Sequence, residues 1–214
     1  RLAIVSPDDG LQPVTSPDSR WTVCLNGEIY NHASLRRQAE AAGAPPCNGS
    51  DSAVVAALLQ IQPVERMLES LRGMFALSIT DSKTGSIWLV RDRMGVKPLH
   101  WRKGPESRVE WSSELRALRR SGDRIRHEAV HHLLVSEYIP APWTIWKDIE
   151  KIRPGHLLEI SPEGVVLEKQ WWKPPELSGA WRGELQPWER SLGSTLADAS
   201  RIRLPSDVPV GVLL

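Results

Sequence analysis

The stretch WTVCLNGEIYNH, residues 21 to 32, sets a cysteine, an asparagine–glycine pair and a glutamate almost side by side. Acyl transfer needs hydrogen-bond donors aimed at the oxygen on which negative charge develops. The side-chain amide of Asn26 and the N–H of Gly27 could supply two, because glycine permits close approach to the backbone. The same dipeptide between strand-forming residues is also the strongest short signal for a hairpin turn, and taken alone it favours the turn. Glu28 and Asp51 are carboxylates that could grip an ammonium group; singly, each also reads as a solvated side chain or a helix N-terminal acid. Arg1 could clamp a carboxylate with two hydrogen bonds, or serve as an ordinary surface cation. Together one arginine, two carboxylates and an amide–glycine pair complement a free amino acid that carries a side-chain amide. Glutamine fits that description.

Other motifs have plainer readings. Cys24 lies mid-strand and reads as a small buried residue, and Cys47 follows Pro-Pro in a loop with no activating neighbour in the sequence. RDRMGVKPL, residues 91 to 99, reads as a strand end followed by a turn shaped by Gly95 and Pro98. SSELRAL, residues 112 to 118, reads as a helix-capping box. His131 and His132 have no second cluster at metal-ligand spacing and read as structural or surface residues.

These residues need a scaffold. RLAIV and WTVCLNGEI read as short strands joined by a Pro/Asp/Gly/Ser-rich connection. HASLRRQAEAAG is a helix closed by Gly43, and Ser50 caps a second, DSAVVAALLQI, apolar enough to be covered on both faces. VERMLESLRG is a third. GMFALSIT and SIWLVRD flank DSKTG, a hairpin signal. VEWSS and a helix around HEAVHHLLVSEY follow, then two short strands near HLLEI and GVVLE. The Pro/Trp/Gly texture of QWWKPPELSGAWRGELQPW predicts a linker. ERSLGSTLADASRIRL is an amphipathic helix leading into VPVGVLL, a buried-type strand that suggests the opening of an α/β domain.

Composition bounds the remaining choices. The 214 residues are 41% hydrophobic, enough for a core, and 27 basic against 26 acidic residues leave a net charge of +1. That balance gives no electrostatic ground for a nucleic-acid or anionic-membrane partner, and the apolar runs are too short to span a bilayer. Two cysteines without zinc spacing fit a reducing, cytoplasmic setting. Ten tryptophans against one phenylalanine is an unusual bias with no functional account in the sequence. The chain opens without a methionine and ends inside an apolar strand, so an internal fragment is expected.

NGEIYNH, GSD, LRGMFAL, RDRMGVKPL, SSELRAL, IPAPWTIW, PGHLLE and SDVPVGVLL occur in an order that resembles the glutamine-dependent asparagine synthetase family. The resemblance implies an α+β fold. It would be an incomplete αββα four-layer N-terminal nucleophile hydrolase sandwich over residues 1–160, a linker over 161–187, and the start of an α/β synthetase domain over 188–214. It implies glutamine hydrolysis, with ammonia passed to a second domain where ATP activates aspartate as an adenylate. Arg1 would hold the glutamine α-carboxylate, with Leu2, Ala3, Ile4 and Val5 lining the pocket. Asn26 and Gly27 would form the oxyanion hole, and Glu28 and Asp51 would orient the α-amino group. Leu214 would sit where the synthetase strand meets ATP. The partners implied are glutamine, aspartate, ATP with Mg2+ bound mainly by residues beyond this chain, and a second copy in a homodimer of the full-length protein.

Two departures follow from the same resemblance. The family nucleophile is a cysteine at the mature N-terminus whose own α-amine acts as the base. Neither cysteine here has that position. The Ser-Gly-Gly-Leu-Asp-Ser phosphate loop that should follow VPVGVLL is also missing. This stretch alone is therefore expected to be inactive. An amidotransferase with another acceptor, or a glutamine-binding module without catalysis, would share the same pocket.

Overall fold

The computed structural model of the chain describes residues 11–47, 49–176, 185–204 and 211. The elements run β1 (Val14–Thr15), β2 (Trp21–Ile29), α1 (His32–Ala41), α2 (Asp51–Leu58), α3 (Val64–Ser70), β3 (Gly73–Asp81) and β4 (Ile87–Arg91). Then come β5 (His100–Lys103), β6 (Val109–Ser112), α4 (Leu115–Leu118), α5 (His127–Ser136), β7 (Glu150–Lys151), β8 (His156–Ile160), β9 (Val166–Gln170) and α6 (Leu185–Arg201). The expected strands RLAIV and VPVGVLL fall outside the described residues, apart from Gly211.

Six strands form one sheet in the order β1-β2-β3-β4-β8-β9, and β6-β5-β7 form a second. Every pairing is antiparallel. Side chains alternate across a strand, so one face of the large sheet collects Val23, Leu25, Phe75, Leu77 and Ile79. Helices α1 to α3 cover that face with Leu35, Val54, Val55, Met67 and Leu68 in one continuous core. All of α2 is buried, which accounts for its lack of a polar face. The opposite face presents Ala76, Leu89, Leu158 and Ile160 to Leu99, Ile152, Trp101 and Trp111 of the second sheet and its flanks. The chain is thus an α+β protein in which helices, large sheet and small sheet are stacked in turn, with α4 against β5 and β6.

Local signals act largely as expected. Ser50 Oγ accepts the Ala53 N–H at 3.3 Å at the start of α2. Gly43 follows α1 at φ +91°, and Gly85 turns the β3–β4 hairpin at φ +73°. Tryptophan takes the place of phenylalanine as the large aromatic: Trp21 meets Trp88 at 6.0 Å and Trp171 stacks on Phe75 at 6.1 Å.

Two expectations are corrected here. Asn26-Gly27 is not a turn; it lies within β2, paired with Ala76 and Phe75 of β3. The nine-residue β3 gives β2 a full-length partner, and that long ladder overrides the local turn preference. The sheet also continues beyond the boundary expected at residue 160, because β9 pairs along all of β8 as far as Gln170. Trp171 then donates its indole N–H to Arg91 O at 3.2 Å, so the expected linker is packed chain in its first part. Among the described residues no helix is long and apolar enough to cross a membrane.

Candidate active site

The site is built on the outer edge of β2. The N–H and C=O of Leu25 point to that edge, where the Gln12 side chain meets both, Leu25 N to Oε1 at 2.6 Å and Nε2 to Leu25 O at 2.9 Å. The N–H of Ile29 points the same way and donates to Asp51 Oδ2 at 3.2 Å. Backbone groups alternate along a strand. Gly27 lies midway between these two residues, so its N–H faces the same edge, which β1 does not reach.

Gly27 is required where it stands. Its φ is +135°, and a Cβ there would lie 2.0 Å from Met74 O. Gly73 makes the reciprocal approach, its notional Cβ 2.1 Å from Glu28 O. Asp92 fixes the opposite side of this contact: its backbone N–H donates to Phe75 O at 2.9 Å and its carboxylate accepts from Phe75 N at 3.2 Å. The same carboxylate takes the N–H groups of Met94, Val96 and Lys97. Arg91 donates to the carbonyls of Lys97, Ile152 and Gly95. The RDRMGVKPL loop is therefore a scaffold that fixes β3 against Gly27.

Asn26 projects toward the second sheet, and its Nδ2 donates to Ser113 Oγ at 2.9 Å. Ser113 O in turn accepts from His100 Nδ1 at 3.2 Å. A carbonyl only accepts, so Nδ1 carries the hydrogen. Burial, with Lys151 and Arg91 nearby, holds His100 below its ordinary value and favours the neutral ring. The expected capping box is absent: α4 has Glu114 at its N-cap position and no side-chain cap. Ser112 Oγ accepts the Glu114 N–H at 3.0 Å, and Ser113 is turned to Asn26 instead.

Glu28 and Asp51 are brought together, 5% and 8% exposed. Burial pushes both carboxyls up, and the Asp51 charge raises Glu28 further, while His32 and Lys97 oppose that rise. His32 is oriented by its Nδ1–H, which donates to Ile29 O at 2.9 Å. Two desolvated carboxylates this close repel each other, and a cation with several N–H donors would relieve that repulsion.

A cavity of about 340 Å³ opens beside this edge, lined by Gln12, Cys24, Asn26, Ser78, Ser112 and Ser113 among others. Cys24 is exposed on it, which corrects the expectation of a buried residue. The strand alternation that buries Val23 and Leu25 under the helices turns Cys24 to the other face. Cys47 is half-buried, and burial pushes its thiol up, away from the thiolate form. Arg1, Leu2, Ala3, Ile4, Val5 and Leu214 lie outside the described residues. His132 packs against Trp143 with ring centroids 5.4 Å apart. Nothing in the sequence marks Gln12 or His100 as site residues, and the SSELRAL signal around Ser113 points to a helix cap instead.

The edge of β2 thus sets a side-chain amide and a glycine N–H beside two buried acids. The chain belongs to the glutamine amidotransferase domain family, whose model matches residues 1–172. It is 29% identical over its whole length to asparagine synthetase (glutamine-hydrolysing) 1 of Bacillus subtilis and covers 34% of that protein. It is 33% identical, again over its whole length, to the asparagine synthetase of Brassica oleracea and covers 31% of it. The chain thus spans about a third of the length of these curated relatives. Its fold is similar to that of glutamine phosphoribosylpyrophosphate amidotransferase of B. subtilis, with a TM-score of 0.56 at 20% identity over 78% of this chain and 33% of that one.

Proposed function

We propose that this domain hydrolyses glutamine to glutamate and ammonia, and that the ammonia serves the ATP-dependent amidation of aspartate to asparagine. The observation that supports the first part is the edge of β2, where Asn26, Gly27 and Glu28 follow one another and Asp51 bonds the neighbouring Ile29 N–H. The glutamine ammonium would lie against the Asp51 and Glu28 carboxylates, with Arg1 on its α-carboxylate and Leu2, Ala3, Ile4 and Val5 along its side. A thiol attacks the side-chain amide carbon, and the carbonyl oxygen takes up the negative charge. Gly27 N–H and one Asn26 Nδ2 hydrogen then donate to that oxygen. Collapse of the adduct, with a proton delivered to nitrogen, releases ammonia and leaves a thioester, which water hydrolyses to glutamate.

Neither Cys24 nor Cys47 meets the needs of the attacking thiol. The nitrogen of each is locked in a peptide bond and offers no α-amine base, and the Cys47 thiol is pushed up. The reading assigns attack to an N-terminal cysteine of the mature polypeptide, as in the family resembled. Aspartate, ATP, Mg2+ and a homodimer enter by the likeness to asparagine synthetases. Among the described residues no group of acids, histidines and cysteines could hold a metal ion.

The test is glutamate release from glutamine by the full-length polypeptide containing these residues, followed by asparagine formation when aspartate and Mg-ATP are added. Asn26→Ala and Asp51→Ala should each lower glutamate release by about a hundredfold or more, the first in kcat and the second chiefly in KM. Wild-type protein that releases no glutamate would overturn the reading. Glutamate release without asparagine would overturn its second half and point to another acceptor.

A further inference from the structure

We propose that Ser113 is a positioning residue for the Asn26 amide, and that the second sheet thereby sets the geometry of the oxyanion donor. The inference rests on the glutaminase reading of the site. An asparagine side chain on a strand rotates about two bonds, and a donor that must be in place before charge develops gains from being fixed beforehand. Ser113 supplies that restraint. Its Oγ accepts one Nδ2 hydrogen at 2.9 Å across 87 residues of sequence, which leaves the second hydrogen of the same nitrogen free for the substrate oxygen.

Ser113 is itself held from several directions. The residue before it, Ser112, is paired with His100 in the second sheet. His100 Nδ1–H donates to Ser113 O, and Ser112 Oγ takes the following N–H of Glu114. Beyond Glu114, α4 is anchored through Leu118 O, which accepts from the buried guanidinium of Arg102 at 2.9 Å. Arg102 also pairs with Asp123 at 3.0 Å. A hydroxyl placed by this framework is a fixed point against which an amide can be set. The usual role of a serine at such a place is to cap the helix, yet α4 has no side-chain cap.

A merely structural Ser113, one that stitches the two sheets, would be felt in stability and in KM and kcat together. A positioning Ser113 acts only through Asn26. In the full-length polypeptide, Ser113→Ala should lower kcat for glutamate release about tenfold to a hundredfold, short of the full loss of an oxyanion donor. KM should stay within about twofold of wild type, and Ser113→Thr, which keeps the hydroxyl, should remain within about threefold. In an Asn26→Ala background, Ser113→Ala should change nothing further, because the group it positions is gone. Additive losses in that double variant, an unchanged kcat in Ser113→Ala, or parallel changes in kcat and KM would overturn the inference. If wild-type protein releases no glutamate, the glutaminase reading has failed and a second measurement decides the geometry. With 15N-asparagine labelling, the two Nδ2 hydrogens of Asn26 should resonate far apart in wild type and converge in Ser113→Ala; an unchanged pair would overturn the positioning.

Discussion

Gly27→Ala tests the contact on which the site rests. The added Cβ would lie 2.0 Å from Met74 O and 2.9 Å from both Met74 C and Phe75 Cα, all backbone atoms. Those atoms have little room to withdraw, since Asp92 holds Phe75 through both its N–H and its C=O. Carbon and oxygen approach in sheets to about 3.3 Å, so β2 and β3 must part by roughly an ångström. Overpacking of this kind costs about 1–3 kcal/mol, and a side chain at φ +135° costs about 1–3 kcal/mol more. Loss of glycine's freedom in the unfolded chain returns about 0.4–1 kcal/mol, leaving a net loss of about 1–6 kcal/mol. For a domain of this size that lowers Tm by roughly 2–20 °C. Gly73→Ala is the control: its Cβ would meet Glu28 O at 2.1 Å, but it carries no positive φ, so it bears only the overpacking cost. Thermal unfolding followed by circular dichroism reads both variants. A Tm within about 2 °C of wild type for Gly27→Ala, or a larger loss for Gly73→Ala, would refute the reasoning.

Asp51 and Glu28 are both held above their ordinary values of 3.8 and 4.5, chiefly by burial. A raised carboxyl stabilises the fold below its unfolded value and loses that contribution as pH rises through its folded value. A bound ammonium needs the charged form, so acidification should stabilise the free domain through this pair while weakening glutamine binding. Titration calorimetry and thermal melts across mildly acidic pH check the opposed trends, and an affinity that stays flat until below 3.8 contradicts them. The Arg20 guanidinium holds the Asp81 carboxyl at about 2 through hydrogen bonds of 3.0 and 2.8 Å. That stability is present above 3.8 and lost as pH falls through about 2. Because Arg20 is solvent-exposed and screened, Arg20→Ala should lower stability only modestly at neutral pH in urea unfolding, and the gap to wild type should close in acid. Asp92→Ala strands the four N–H groups of Phe75, Met94, Val96 and Lys97 and should cost about 3–5 kcal/mol, with hydrogen exchange accelerated first at Phe75.

What the sequence made legible was local. Ser50 and Gly43 mark helix ends by chemistry that acts within a few residues, and DSKTG turns a hairpin between strands it touches. Asn26-Gly27 misled because the turn signal is local while its answer is not: β3, starting 46 residues after Gly27, pairs with it and makes the dipeptide part of a strand. The same reason hides Ser113, whose partner lies 87 residues away in the other sheet. For Cys24 the element is legible in the sequence but its direction is not. A strand assignment fixes alternation but not which set faces the helices, and Cys24 belongs to the other set. Glu28 and Asp51 stand out in the sequence as carboxylates able to grip an ammonium group, but their mutual effect depends on burial that composition does not reveal.

The strand edge also acts as a ruler. Successive residues on one edge of a strand are about 6.6–6.8 Å apart, so Gly27 N–H and Ile29 N–H are separated by that distance. Asp51 is tied to the second of them by its 3.2 Å hydrogen bond. In an extended glutamine, the side-chain oxygen and the α-nitrogen are joined through four carbons and lie about 5–6 Å apart on ordinary bond lengths. On the proposed reading, an amide oxygen at Gly27 therefore sets the ammonium within reach of Asp51 without bending the substrate. Asparagine is one carbon shorter and must give up either the ammonium contact or the oxyanion contact. A displacement of about an ångström costs on the order of a hundredfold in rate. Selection for glutamine then resides less in any one side chain than in the two-residue repeat of β2, with Asp51 as its far stop.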